Sequence, residues 1–222
     1  MKPETYNLTF LTPCFCAGAD QAVAELRPSA IRGQLRWWFR ALGGTYEQEA
    51  AVFGAAADDQ SHASSLQVRT RLVQRGQDWK PFQMSPGQPG AYVWFFASVA
   101  SEKKRWWKRA PGPRNQPPGI YNPQGNLPPQ TQFQIHLRRL RPVSDTSAEE
   151  LLRVAVRSLL RFGGVGMRLT RGMGAWECAE LTHVSQAIRM DADEITRRGF
   201  EVKFGNGGFA TAQAAILDGE KW

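Results

Sequence analysis

The sequence predicts an α+β fold, and three observations support this prediction. Alternating apolar and polar residues, which are typical of half-buried strands, occur over residues 6–10, 66–72 and 133–137. Apolar residues recur at helical spacing after the first of these strands and again after the third. The 222 residues are 42% hydrophobic, which is ordinary for a globular core.

The first strand and the helix after it have clear ends. The alternating pattern covers residues 6–10, and Pro13 stops the strand. A helix then starts after Pro28 and stops at Gly43, with one apolar face formed by Ile31, Leu35, Trp38 and Leu42. A second short helix is predicted over residues 45–53.

A long insertion separates the second and third strands. It is predicted at about residues 73–131. An apolar run at residues 92–99 favours one strand of an inserted hairpin. Residues 111–129 are rich in proline, and such a segment is expected to be extended or disordered because it buries no core.

The last third of the domain repeats the strand and helix pattern. After the strand at residues 133–137, Ser147 and Glu150 have the spacing of a capping box and predict a helix over residues 151–162. Glycines then end this helix, and a fourth strand is predicted over residues 175–182.

The order strand, helix, strand, strand, helix, strand predicts a ferredoxin-like (RRM-like) domain over residues 1–182. Its antiparallel sheet carries the helices on one face, and the free face of such a sheet often binds RNA. Residues 183–222 are predicted to form a C-terminal extension of unknown role, with one helix at residues 191–198.

Composition narrows the class of partner. A net charge of +8 and a pI near 9.8 favour a polyanion such as nucleic acid, although a basic solvated surface without a ligand explains the charge equally well. Cys14, Cys16 and Cys178 lack zinc spacing and are odd in number, so no metal, cofactor or disulfide framework is predicted. No apolar stretch is long enough to span a membrane, and a cytoplasmic protein is expected.

Two stripes of arginine are candidates for RNA binding. Arginines recur at i, i+4 and i+8 on both long helices: Arg32, Arg36 and Arg40 on the first, and Arg153, Arg157 and Arg161 on the second. Stacked like charges weaken a helix, so a neutralising RNA backbone is one explanation. The alternative is a set of long side chains splayed into water and screened by salt. Glu149 is expected to pair with Arg153.

Five glycines and two arginines within residues 163–174 predict a phosphate-binding loop. Glycine permits close backbone approach, and exposed N–H groups beside arginines form a phosphate cradle. The lysine and the spacing of a nucleotide P-loop are absent. An ordinary flexible turn is the alternative. The candidate residues are Gly164, Gly166, Arg168, Arg171 and Gly172.

Residues 103–109 interleave five cations with two indoles. This composition favours contact with single-stranded RNA through Lys104, Arg105 and Trp106. Docking on a neighbouring subunit is equally consistent, because Trp and Arg also dominate protein interfaces.

Candidate catalytic residues are few. His62, His136 and His183 have no carboxylate partner nearby in sequence. Adjacent acids such as Asp58 and Asp59 are more typical of a solvated loop than of a metal site. No catalytic residue is therefore predicted, although a guide-processing ribonuclease that uses His136 or His62 as a general acid or base stays an alternative.

Three segments resemble a known family. FLTP at residues 10–13 with GAD at 18–20, ELRPSAIRGQLRWWFRAL at 25–42, and Glu49 followed by VFG at 52–54 are similar to the N-terminal signature of subunit one of the Cmr complex, a type III-B CRISPR effector. The glycine-rich run resembles the loop shared by the wider repeat-associated mysterious protein (RAMP) superfamily.

The resemblance implies a non-catalytic structural subunit that binds guide RNA near its 3′ end, beside Cmr subunits four and six. Target RNA is a further expected partner. On this basis Arg27, Ser29, Arg32, Arg36 and the glycine-rich run are expected to face RNA. Familiar members carry a second ferredoxin-like half, so a compact member, a truncated chain or an isolated domain is expected here. A subunit that only docks proteins is the third hypothesis.

Overall fold

The computed structural model describes residues 3–18, 23–56, 61–77, 126–181 and 184–204. Its six strands are β1 (Glu4–Phe10), β2 (Cys14–Phe15), β3 (Leu66–Gln74), β4 (Asn126–Leu127), β5 (Gln132–Arg139) and β6 (Trp176–Cys178). Four of them form one antiparallel sheet in the order β3-β5-β1-β6, and β2 pairs with β4 separately. The predicted combination of helices with an antiparallel sheet is confirmed.

The two faces of the sheet differ because side chains alternate along each strand. One face is largely apolar, and its buried residues include Leu8, Phe10, Phe133, Ile135 and Trp176. The rings of Phe10 and Phe133 stack at 4.7 Å across the β1–β5 pair. The opposite face is polar and carries residues such as Asn7, Arg69 and Gln134.

Four helices complete the described fold: α1 (Pro28–Ala41), α2 (Tyr46–Phe53), α3 (Thr146–Phe162) and α4 (Ser185–Thr196). The helices α1 and α3 contact each other, and their buried residues join those of the sheet in one core. Pro28 occupies the first turn of α1, where its missing N–H costs nothing. The predicted short helix is confirmed as α2, and Thr45 caps it in a reciprocal capping box with Gln48.

The capping box predicted from Ser147 and Glu150 is wrong. Asp145 is the N-cap of α3, and its carboxylate accepts the backbone N–H groups of Ser147 and Ala148 at 2.8 and 3.1 Å. The helix consequently begins at Thr146, before the predicted start. Asp145 also accepts a hydrogen bond from the Gln48 amide at 3.1 Å, which ties α3 to α2.

We expect the stabilising effect of Asp145 to disappear in acid. Hydrogen bonds from Ser147, Ala148 and Gln48 lower the pKa of Asp145 from 3.8 to about 2. Because the folded-state pKa is depressed, the contribution is complete above pH 3.8 and is lost as the pH falls through about 2. The gap in melting temperature between the wild type and Asp145→Ala should therefore close over that range. A gap in melting temperature that stays constant down to pH 2 would contradict this assignment. Asp193→Ala, at an exposed position of α4, serves as the control.

The expectation that the proline-rich segment buries no core is wrong at its end. Asn126 and Leu127 form β4 against β2, and both residues are buried. Thr131 is also buried and donates its hydroxyl to the Pro128 carbonyl at 2.7 Å. The prediction failed here because the partner of β4 lies more than a hundred residues earlier in sequence. The predicted strand at residues 92–99, and Lys104, Arg105 and Trp106, lie outside the described residues.

The C-terminal extension contributes to the same core. Helix α4 begins before the predicted residue 191 and packs against α3, with Ala192 and Ile195 buried. Strand β6 ends at Cys178, which is earlier than predicted. The domain boundary at residue 182 stays a prediction.

Within the described ranges, no helix has the length and apolarity needed to cross a membrane. The same residues contain no cluster of three or more His, Cys, Asp or Glu side chains suited to a metal ion. Cys14, Cys16 and Cys178 are buried free thiols.

Candidate nucleic-acid interface

A groove of about 730 Å³ runs between α1 and the segment after α3, residues 163–174, which we call the glycine loop. Its lining includes Gly33, Gln34, Trp37 and Arg40 from α1, and Gly164, Leu169, Thr170 and Gly172 from the glycine loop. The Trp37 side chain is half exposed and meets Trp38 edge-on at 5.2 Å. The groove therefore combines glycine walls with a guanidinium, an amide and an indole.

The glycine loop is held in place by its own backbone. Val165 donates its N–H to the Gly174 carbonyl at 3.2 Å, and Met167 donates to the Phe15 carbonyl of β2 at 2.8 Å. Seven N–H groups of the loop donate to protein carbonyls: those of Gly163, Val165, Met167, Arg171, Gly172, Met173 and Gly174. The expected cradle of exposed N–H groups is therefore wrong for these seven, and side chains are left as the main donors to a phosphate.

Close packing explains the glycines at two positions of the loop, Gly166 and Gly174. Gly166 has φ +99°, and a Cβ there would lie 2.7 Å from the Phe15 carbonyl oxygen. Gly174 has φ +67°, and a Cβ there would overlap the Val165 carbonyl oxygen. These glycines are thus required by the protein's own fold, whatever the loop binds.

The arginine stripe of α1 mostly faces α2 rather than the groove. The Arg36 Nε donates to the carboxylate of buried Glu49 at 2.7 Å, and Arg40 lies 3.5 Å from the same carboxylate. Arg32 donates to the Phe53 carbonyl. RNA was one explanation for this stripe, but no external polyanion is needed to relieve Arg36, because Glu49 neutralises it. Arg40 alone among the three also lines the groove.

The arginine stripe of α3 is also neutralised internally. Arg157 and Arg161 both form ion pairs with Asp191 of α4, and the Arg161 Nε donates at 2.9 Å. The Arg161 side chain and Asp191 are almost fully buried. An RNA contact through Arg161 is therefore not supported, because its guanidinium is enclosed between two helices.

The predicted pair of Glu149 with Arg153 does not form. Glu149 accepts instead from Arg139 of β5, whose side chain is buried, and Arg153 lies 3.5 Å from Glu150. Sequence spacing favoured the pair one turn apart on the helix. Glu149 pairs with Arg139 because burial removes the water that would solvate the Arg139 guanidinium, which therefore needs a counterion.

The remaining predicted residues are dispersed. Arg27 and Ser29 are exposed at the start of α1 and are not among the residues that line the groove. Arg168 is exposed on the glycine loop with φ +63°, and Arg171 is half-buried. Contact of all four with RNA stays a prediction.

The described histidines are separated from each other. His136 lies on the polar sheet face with its Nδ1 2.9 Å from the Thr5 hydroxyl. His62 pairs through its backbone with Ala55. His183, with Asp58 and Asp59, lies outside the described residues.

Sequence reasoning missed Gly33, Gln34, Trp37 and Thr170 as groove residues. Gly33 carried a usable signal, because a glycine inside a helix is unfavourable by about 1 kcal/mol relative to alanine. No atom of the described residues lies within 4 Å of a Cβ placed at Gly33, so the described fold leaves open space there. A helical glycine that faces open space marks a surface which another molecule can approach closely.

Cys14 of β2 forms a hydrogen bond with the glycine loop. Its Sγ donates to the Val165 carbonyl at 3.2 Å. A hydrogen bond with Cys16, together with burial, raises the pKa of Cys14 well above its ordinary value. The thiol therefore stays neutral and acts as a packing group and donor.

Comparison with known proteins places residues 7–177 in a match to the RAMP superfamily. The chain is 24% identical over 191 residues to the CRISPR system Cmr subunit Cmr1-2 of Pyrococcus furiosus, which covers 79% of this chain and 94% of that protein. It is 26% identical over 163 residues to Cmr subunit Cmr1-1 of the same organism, covering 68% of this chain and 40% of that protein.

Among solved structures, the apo crystal structure of Cmr1 from Pyrococcus furiosus has a TM-score of 0.52 at 18% identity. The alignment covers 100% of this chain and 72% of that one. At this level of identity the likeness shows a shared fold.

Proposed function

Since this chain belongs to the RAMP superfamily, we propose that it is a non-catalytic subunit of a type III-B CRISPR effector complex that binds guide RNA in the groove. The resemblance to Cmr subunit one is confirmed by the similarity to two Cmr subunits. The observation that carries the proposal is the groove between α1 and the glycine loop, which has a volume of about 730 Å³ and is lined by glycines together with Gln34, Trp37 and Arg40.

The groove residues suit a nucleic-acid backbone. Arg40 keeps a 59% exposed side chain although it approaches Glu49, so it remains accessible to a phosphate. Gln34 and Thr170 offer neutral hydrogen-bond donors, and the exposed indole of Trp37 offers a surface for stacking a base. Backbone contacts of this kind hold RNA without reading its sequence.

The finer assignments rest on the resemblance. We place the groove near the guide RNA 3′ end, with Cmr subunits four and six as neighbours and target RNA as a further partner. We also assign the sheet to the ferredoxin-like arrangement. The order β3-β5-β1-β6, antiparallel throughout, supports that assignment, since it is the order that two βαβ units give when they interlock.

A salt titration tests RNA binding directly. The purified chain should bind single-stranded RNA in a filter assay, and its affinity should fall steeply with salt because each neutralised phosphate releases counterions. Affinity that is absent or independent of salt would rule out backbone contacts. Incubation with repeat RNA distinguishes the ribonuclease alternative, which requires cleavage that His136→Ala abolishes.

The groove itself is tested at Gly33. We expect Gly33→Leu to lower RNA affinity by about tenfold or more, equivalent to about 1.4 kcal/mol, because its side chain fills the open space. Gly33→Ala is the matched control, and it should bind RNA nearly as well while raising stability by about 0.5–1 kcal/mol. Wild-type affinity in a folded Gly33→Leu protein would place the RNA elsewhere.

A further inference from the structure

We propose that the polar face of the sheet is a second RNA-binding surface, on which Arg69, Arg71 and Arg138 contact the phosphates of a single strand that runs along β3 and β5. This surface is distinct from the groove, because it lies on the opposite side of the sheet from the helices. The proposal takes only the identity of the ligand, RNA, from the proposed function.

The three arginines form a continuous row. On β3, Arg69 and Arg71 are two residues apart and face the same side, about 7 Å from each other along the strand. On β5, Arg138 pairs with Gln67, which places it diagonally next to Arg69 at roughly 7–8 Å. Such a row presents successive cations to one extended polyanion.

The side chains of these three arginines have no carboxylate partner within the described part of the chain. Arg36, Arg139, Arg157 and Arg161 each have a carboxylate partner. Arg69, Arg71 and Arg138 are exposed, and their side chains form no ion pair or hydrogen bond with another described residue. Three like charges held close together on a rigid sheet repel one another, and a bound polyanion relieves that repulsion.

The acids of the sheet restrict the path of the strand. Glu177 of β6 pairs across from Thr9 on this face, and Glu180 accepts the side-chain amide of Asn7. The negative charges therefore lie on the β1–β6 half, and the cations lie on the β3–β5 half. A polyanion is attracted to one half and repelled by the other, so it follows the strands instead of crossing them.

The chemistry of this face favours RNA over an acidic protein. Between the arginines this face presents polar side chains such as Gln67 and Gln134, and the imidazole of His136 is the one ring that it carries over residues 67–71 and 134–138. Protein interfaces are centred on buried aromatic and apolar residues, and these two segments present no large apolar side chain on this face. With a single imidazole as a stacking surface, the face is expected to contact mainly phosphates and sugars, independent of sequence.

The test is a triple substitution, Arg69→Gln, Arg71→Gln and Arg138→Gln, in the full chain. The control variant, Arg189→Gln, Arg197→Gln and Lys203→Gln, removes the same charge from exposed positions in α4 and the segment after it. Fluorescence anisotropy with a labelled single-stranded RNA is recorded over a range of salt concentrations, and thermal melting verifies the fold.

We expect the sheet variant to lose roughly tenfold or more in affinity and about two units of salt slope, since each phosphate contact on a single strand contributes about 0.7. The control should lose much less. Equal losses in both variants, or an unchanged salt slope in the sheet variant, would overturn the proposal. RNA binding that is sensitive to the sheet variant but not to Gly33→Leu would refute the groove and retain this surface.

Discussion

Replacing Asp191 with alanine is expected to lower the free energy of unfolding by about 3–5 kcal/mol, which is the typical cost of removing one partner from a buried ion pair. Asp191 lies on α4 and holds both Arg157 and Arg161 of α3. The Arg161 side chain is only 6% exposed, and its Nη2 already lacks a partner among the described residues. Without Asp191 the guanidinium is a buried charge with no counterion, and α4 loses its polar attachment to α3.

Denaturant unfolding of the purified variant measures this effect. Glu194→Ala on the same helix is the control, because Glu194 pairs with the surface residues Arg197 and Arg198 and should cost no more than about 1 kcal/mol. The double variant Asp191→Leu, Arg161→Met should regain most of the lost stability, since apolar residues replace a buried pair at little cost. A loss below 1 kcal/mol in Asp191→Ala would show that Arg161 escapes to water.

The arginine stripes show what sequence reasoning reached at this site. The periodicity of Arg36 and Arg161 on their helices was visible, and the conclusion that something must offset the like charges was sound. Their counterions lie on other helices, 13 residues away for Glu49 and 30 for Asp191. Helical periodicity reports neighbours on one helix, whereas these pairs form only when separate helices pack.

The fold was more accessible from sequence than the site. Alternation identified β1, β3 and β5, since one buried face forces a period of two residues. The short β2–β4 pair has no period to detect, because each strand has two residues. The groove was hidden for a different reason: it is formed by two segments about 130 residues apart, and the sequence alone does not show that they meet.

The arginines sort into two groups once the structure is considered. Those with buried carboxylate partners, such as Arg36 and Arg161, join helices to one another. Others, such as Arg69 and Arg71, have side chains without an ion pair among the described residues and are exposed on the sheet. A net charge of +8 therefore says little about where a polyanion would bind until the internal pairs are subtracted.

Replacing Gly174 with alanine is expected to destabilise the glycine loop without any change in charge. The left-handed φ of +67° costs an alanine about 1–2 kcal/mol. The overlap of its Cβ with the Val165 carbonyl oxygen adds about 1–3 kcal/mol of overpacking. The same overlap disturbs the hydrogen bonds from Val165 N–H to Gly174 and from Gly174 N–H to Pro13, which hold the loop closed.

Two measurements together decide whether the geometry of the loop matters for binding. Denaturant unfolding should show a loss for Gly174→Ala and a gain for Gly33→Ala, because the same change meets a carbonyl at one site and open space at the other. At a temperature where both variants are folded, only Gly174→Ala should also lose RNA affinity, although its net charge is that of the wild type. If Gly174→Ala binds RNA with wild-type affinity, the shape of the glycine loop is irrelevant, and the cations alone hold the RNA.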